Sequence, residues 1–419
     1  MSTRRRHLIA TAGAAALGLA GLAGWQAWPE EGLLNPCAGP LPPELADHPL
    51  VRAAWAGLDI SQVWDMHAHI LGTGDGGGDL GFTRDHSLAH GVFARVQEFF
   101  VRDAACIASR NASSADDALL AHLLQLAQAM PTGHKLQLLA LDAWHDGQGQ
   151  RHTDRSHFWV GNDYCAKVAQ RWPQHFEWAA SVHPYRQDAA QAIALAAAQG
   201  ARALKWIPSA QGIDPASPRC DSAYEALVRH RLPLITHGGQ ERAAPGEDHL
   251  GNPLRLRRAL EHGVTVIVAH CASMGKDRDL DRAAGNPDDA PWVESFALFE
   301  RLMDEPAHAG RLFGDLSAIT QTARAGPPLR RVMERAREGG DWAGRLLNGS
   351  DYPLPAFMPL YSTRGLSESG LLDASAVTVL VALRRHNPLL YDFVLKRSLR
   401  LNGQPLAKAV FETRRVFAP

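Results

Sequence analysis

Eight short runs rich in Val, Ile and Leu, separated by longer segments of helical period, constrain this chain more than any other feature. The runs are Val63–Ile70, Lys135–Asp142, Phe176–Pro184, Ala201–Ser209, Pro233–Gly239, Val264–Cys271, Leu312–Thr320 and Leu346–Pro353. Between them lie stretches whose apolar residues recur on one helical face, such as Gln187–Gln199, Ser222–Arg231 and the shorter Arg255–His262. A helix that carries the chain back between two strands makes those strands parallel. Eight such repeats predict an α/β fold of the (β/α)8 TIM-barrel kind. Runs four to six follow one another at about 30 residues, the length of one strand–helix unit. The long gap after the first run has room for two extra helices, expected to build a lid or wall.

A chain of 419 residues fits one such barrel with insertions. Hydrophobic residues at 46% and charged residues at 21% match a soluble domain that buries a core, so disorder is excluded. The formal charge of −1 gives no reason to expect a nucleic-acid partner. A small-molecule substrate is the expected partner, with homo-oligomerisation left open. Cys37, Cys106, Cys165, Cys220 and Cys271 are odd in number and contain no C-x-x-C pair. Neither a zinc ribbon nor a disulfide framework is indicated, although one incidental disulfide remains open.

The N-terminus departs from globular character. Arg4, Arg5 and Arg6 stand directly before an uncharged run of Ala, Gly and Leu that ends near Trp28. That pattern resembles a twin-arginine export signal, with a small-x-small cleavage site ending at Ala23. The alternative is an uncleaved helical anchor, with Trp25 and Trp28 at the membrane interface. Both place the remaining chain across the inner membrane, in the periplasm. Residues 1–28 are therefore assigned to signal or anchor, the Pro-rich stretch 29–57 to a tether leading into a short helix, and 58–419 to the barrel.

The chemistry concentrates at the carboxyl ends of the predicted strands, where barrel enzymes place their reacting groups. Strand one ends Asp65-Met66-His67-Ala68-His69, strand four carries Lys205, and strand five ends Thr236-His237-Gly238-Gly239. Strand six ends Ala269-His270-Cys271 and strand eight Gly349-Ser350-Asp351-Tyr352-Pro353. Residues i and i+2 of a strand point to the same face, so His67 and His69 can both reach the barrel axis and share one cation. A lone His-x-His is weak evidence. His237, His270 and Asp351, each at another strand end, turn it into a pattern.

This set, Asp-x-His-x-His on strand one, His on five and six and Asp on eight, resembles the amidohydrolase superfamily. The similarity is greatest to the branch of amidohydrolase-related metal-dependent hydrolases, which also contains non-oxidative decarboxylases. It spans about Leu58 to Arg400 and includes the closing Asn387-Pro388-Leu389-Leu390-Tyr391 segment. The resemblance implies that His67, His69, His237 and Asp351 hold one divalent ion, with His270 an acid/base or a ligand of a second. Imidazole plus carboxylate suits zinc, with manganese or iron as competitors. Such an ion lowers the pKa of water toward about 7 and polarises a carbonyl. Asp351 would then act as catalytic base and proton shuttle.

Lys205 carries two readings, a carboxylated ligand bridging two ions, or a substrate-binding or interior lysine paired with a carboxylate. Asp65 is expected to orient a ligating imidazole, since such rings need an outer hydrogen-bond acceptor, or equally to be a structural strand residue. Arg242, in the loop after strand five, is the candidate contact for a substrate carboxylate. His183, which ends strand three, is the foremost of the remaining histidines for the pocket. Gly72–Gly81 matches G-x-G-x-x-G but follows a strand carrying candidate ligands and opens no helix, so dinucleotide binding is rejected. No G-x-S-x-G elbow or phosphate-binding loop occurs. The expected function is hydrolysis of an amide, ester or lactone of a small organic substrate; the alternative is decarboxylation at the same ligand set. A non-catalytic binding protein should have lost a ligand, and none is lost.

Overall fold

A computed structural model describes residues 31–82, 88–107, 114–244, 246–283 and 285–417. The export segment assigned to residues 1–28 lies outside the described residues. Among the described residues, no helix is long and apolar enough to cross a membrane.

All eight predicted runs contain a parallel strand: β1 (Trp64–His69), β2 (Lys135–Leu139), β3 (Phe176–Ala179), β4 (Leu204–Trp206), β5 (Leu234–His237), β6 (Val266–Ala269), β7 (Leu312–Asp315) and β8 (Leu346–Leu347). They form a three-stranded sheet, β1-β2-β3, and a five-stranded sheet, β4-β5-β6-β7-β8, every pair parallel. Backbone hydrogen bonds join the two sheets at both seams. Between β3 and β4, Ala180 N donates to Ala203 O at 2.9 Å and Arg202 N to Trp178 O at 2.8 Å. Between β8 and β1, Asp351 N donates to His67 O at 2.7 Å and His69 N to Tyr352 O at 2.8 Å.

The strands are short apolar runs because both faces are covered, as parallel sheets require. One face packs against helices. Among these, Asp221–His230 buries Ala223, Tyr224, Ala226 and Leu227, one helical stripe. The opposite faces share a second cluster of Trp64, Met66, Leu139, Ala179, Ala203, Ile235, Ile267 and Leu347, with Phe313 packed against it and Phe417 closing it from the C-terminal segment. Each strand or its flank thus sends at least one side chain to a common centre.

The gap after β1 does hold two helices, α1 (Leu88–Ala104) and α2 (Ala115–Gln128). Ser114 caps α2 by accepting from Asp117 N, and the Asp75 carboxylate accepts from Ala115 N and Asp116 N. Six strands of two or three residues, including the antiparallel pair Leu80–Phe82 and Phe158–Val160, were not anticipated. Runs that short are too brief to display alternation. Residues 31–57 form two short helices, Pro43–Ala46 and Pro49–Trp55. The stretch is fastened by a Cys37–Cys106 disulfide and by Glu31, which meets Arg384 at 2.6 Å.

Candidate active site

The expected strand-end residues converge at the carboxyl ends of the parallel strands. His67 Nε2 lies 3.2 Å from His69 Nε2, 3.2 Å from Lys205 Nζ and 3.4 Å from Asp351 Oδ1. His69 Nε2 is 3.3 Å from Asp351 Oδ1, and His270 Nε2 is 3.7 Å from Asp351 Oδ2. The His237 ring stands 4.8 Å from that of His270 and 6.0 Å from that of His67, centre to centre. Two triads of potential ligand atoms result, His67 with His69 and Asp351, and His67 with His237 and His270.

Backbone irregularities aim these side chains. On β1, Trp64 and Met66 belong to the central cluster while Ala68 packs on the helical side. A regular strand would then turn His67 and His69 toward the helices too. The register slips by one residue between Asp65, opposite Leu136, and Ala68, opposite Leu138. This bulge reverses the facing of everything after it, so both histidines reach the centre. After β6, His270, Cys271 and Ala272 all have positive φ, of 54°, 53° and 50°, and Asp351 has φ 61°. Non-glycine residues in such positions cost on the order of 1–3 kcal/mol each and persist only where the surroundings enforce them.

The imidazoles are held as neutral rings with a lone pair turned inward. His67 Nδ1 donates to Asp315 Oδ2 at 2.6 Å, His237 Nδ1 to Glu241 Oε2, and His270 Nδ1 to the Ser317 carbonyl at 2.8 Å. A carboxylate or carbonyl only accepts, so in each ring the proton sits on Nδ1 and Nε2 is an acceptor. Burial lowers the pKa of His67, with Lys205 adding to the effect, and likewise that of His270, with Arg324 adding. His237 Nε2 is buried with no hydrogen-bond partner. Inward lone pairs facing one another repel unless a cation lies between them, which is the arrangement a divalent ion requires.

Burial pulls the Lys205 ammonium down to about 8. Asp351, Asp315 and Glu241 oppose this shift by their charge, while among the described residues Nζ meets His67 Nε2 at 3.2 Å and no carboxylate within 4.0 Å. Asp351 is pushed up by burial, but His270, His67 and His69 more than offset this and hold it well below the usual carboxylate range. Glu241 behaves alike: burial raises it, and the charge and hydrogen bond of His237 bring it below its ordinary value.

Three expectations need correction. Asp65 takes the structural of its two readings and does not orient an imidazole; its Oδ1 accepts from His67 N at 3.2 Å and Ser350 N at 2.8 Å, fastening the bulge to the turn before Asp351. The orienting carboxylates are Asp315 and Glu241. Arg242 does not face the pocket: its Nη2 donates to Gln240 Oε1 at 3.1 Å on the surface. His183 is buried away from the site, with Nε2 against Gln211 O at 2.9 Å and its ring over His145. Sequence reasoning missed Asp315, Ser317 and Arg324, and it placed Glu241 only in a loop over the site without its role. Asp315 ends β7, so the rule that found the others could have found it, and Glu241 stands four residues after His237.

The site opens into a cavity. Its lining joins the polar His69, His237, Glu241, His270, Arg324 and Asp351 to the apolar Phe82, Val101, Phe158 and Phe357. Phe82 and Phe158 come from the antiparallel pair after β1 and β2, and Val101 from α1. Gln97 of α1 donates to Ala243 O, tying that helix to the loop after β5.

No family model and no curated protein matches the sequence. Among solved structures the chain is similar to an uncharacterized TIM-barrel protein from Bordetella bronchiseptica, with TM-score 0.43 and 16% identity over 79% of this chain and 99% of that one. It is also similar to a putative 2-pyrone-4,6-dicarboxylic acid hydrolase from Pseudomonas putida, with TM-score 0.42 and 17% identity over 79% and 97% of the two chains. A 5-carboxyvanillate decarboxylase from Sphingomonas paucimobilis gives TM-score 0.39 and 12% identity over 85% and 98%.

Proposed function

We propose that the chain is a closed (β/α)8 barrel of the amidohydrolase type, and that it is a metal-dependent hydrolase of a small organic amide, ester or lactone. The observation that carries the reading is the set of inward lone pairs: His67 and His237 are each locked by a carboxylate on Nδ1, with Nε2 turned to the centre. His67, His69, His237 and Asp351 would hold a divalent ion, zinc before manganese or iron. Lys205 and His270 extend the set toward a second ion, and the short distance from Lys205 Nζ to His67 Nε2 favours that extension. Such an ion supplies Lewis acidity toward a carbonyl oxygen and makes water acidic enough to attack at neutral pH.

The chain's own groups do the rest. Asp351 is ionised at neutral pH and presents Oδ2 to His270, so it can take the proton of the attacking water and hand it on. His270, with its proton fixed on Nδ1 by the Ser317 carbonyl, keeps Nε2 ready to accept that proton. Phe82, Phe158 and Phe357 exclude water from the substrate body. The Cys37–Cys106 disulfide supports export, because such bonds persist in oxidising compartments.

His67→Asn and His237→Asn test the centre. Elemental analysis of the purified variants should find stoichiometric metal lost while far-UV circular dichroism is kept. Wild-type metal in both variants would remove the metal centre and the hydrolase with it.

A further inference from the structure

Arg324 is a buried charge without a counter-ion, and it faces the cavity. The residue is 5% exposed and follows β7. Its Nη1 donates to Ser273 Oγ at 3.2 Å, whereas its Nε is buried with no acceptor. Among the described residues no carboxylate oxygen lies within 4.0 Å of the guanidinium. The contrast is Arg384, the other buried arginine among the described residues. There Nη1 meets Glu31 at 2.6 Å and the remaining donors reach the carbonyls of Pro355, Phe357 and Met358. The carboxylates nearest in charge to Arg324 are already engaged, Glu241 with His237 and Ala243 N, Asp351 with the histidines.

An unpaired buried guanidinium is costly, and a fold that needed only bulk there would do better with an apolar side chain. We infer that Arg324 is the binding residue for a carboxylate on the substrate, so that the molecule hydrolysed joins an apolar body to a carboxylate separate from its scissile bond. This rests on the hydrolase reading. A monoanion fits better than a phosphate dianion, because a single guanidinium shares the cavity lining with Glu241 and Asp351. A planar carboxylate also matches the guanidinium fork. Phe82, Phe158 and Phe357 in the lining of the same cavity suit a ring or branched apolar body. Burial lowers the pKa of Arg324, the direction expected of a cation awaiting its anion.

Calorimetric titration of the whole protein with benzoate and with benzamide, equal in shape and different in charge, tests the assignment. Wild type should bind benzoate at least tenfold more tightly than benzamide. Arg324→Met should abolish that preference, and Arg324→Lys should keep part of it. Melting supplies a second readout: Arg324→Met should melt no lower than wild type, whereas an arginine that merely holds the fold would leave a variant that melts lower. Equal binding of the two probes by wild type, or a preference that survives Arg324→Met, overturns the inference. Should Arg324→Met fail to fold, an unchanged benzoate preference in Arg324→Lys overturns it as well. Benzoate bound through Arg324 in a protein that hydrolyses nothing would leave this assignment standing and remove the hydrolase. Hydrolysis of an ester bearing a separate carboxylate, equally fast in wild type and Arg324→Met, would do the reverse.

Discussion

Nδ1 of His67 lies 2.6 Å from Oδ2 of Asp315, across 248 residues of sequence, with both side chains fully buried. Ser317 completes the arrangement, since its N donates to Asp315 Oδ1 and its Oγ to Oδ2. Asp315 therefore faces donors from every side, and the one proton it controls is the one that decides whether His67 can ligate.

Asp315→Asn should weaken metal binding by about 10–100-fold, the usual effect of losing such a partner. An amide that keeps its oxygen toward Ser317 N turns its NH2 toward His67 and forces the ring into the tautomer that protonates Nε2. Competition with a chelator of known affinity measures the loss. Unaltered affinity would mean that the proton position on His67 is set elsewhere.

Asp351→Asn keeps an oxygen donor of nearly the same shape and removes charge and basicity. Metal should bind more weakly but return when supplied in excess, while turnover stays down by about 10²–10⁴. The comparison is made at saturating metal with a substrate found by screening amides and lactones. Recovery to within a few-fold of wild type would leave Asp351 as a ligand only and move the base to His270.

Stability should fall in acid through two buried neutral histidines outside the site. Burial lowers His134 to about 3, with His175 adding to the effect, and His183 to about 4. Between the ordinary imidazole value near 6.5 and these values the unfolded chain binds protons that the native chain refuses. Native stability is thus complete above about pH 6.5 and declines as pH falls, by about 4–5 kcal/mol from His134 once the pH lies below both values. His134 packs edge-on against Trp55, so His134→Leu should flatten the pH dependence of urea unfolding between pH 6.5 and 4. An equally steep decline in that variant would place the acid sensitivity elsewhere.

Replacing Arg4, Arg5 and Arg6 together by lysine should retain the protein in the cytoplasm, because a twin-arginine signal is read as an address and not as net charge. Fractionation and blotting decide it. Export of the triple variant at the wild-type level would make residues 1–28 a general secretory signal or an anchor.

By itself the sequence determined the eight strands and the residue types at their carboxyl ends, because strand periodicity and chain order are local properties. Short apolar runs alternating with helical segments specify β1 to β8, and His67, His69, His237, His270 and Asp351 fall at or just beyond strand ends, with Lys205 within β4. Tertiary structure decided how those groups are made ready. The bulge that turns His67 inward depends on the register of β1 against β2, which no window of sequence contains. The partners that fix the tautomers, Asp315 for His67 and the Ser317 carbonyl for His270, lie 248 and 47 residues away. Arg242 and Arg324 are alike as letters in loops, and only packing shows that the first rests on the surface while the second is buried unpaired beside Glu241 and Asp351. The physical reason is common to all three cases: a proton's position and a charge's cost are set by what surrounds the group in space, and neighbours along the chain supply little of that surrounding.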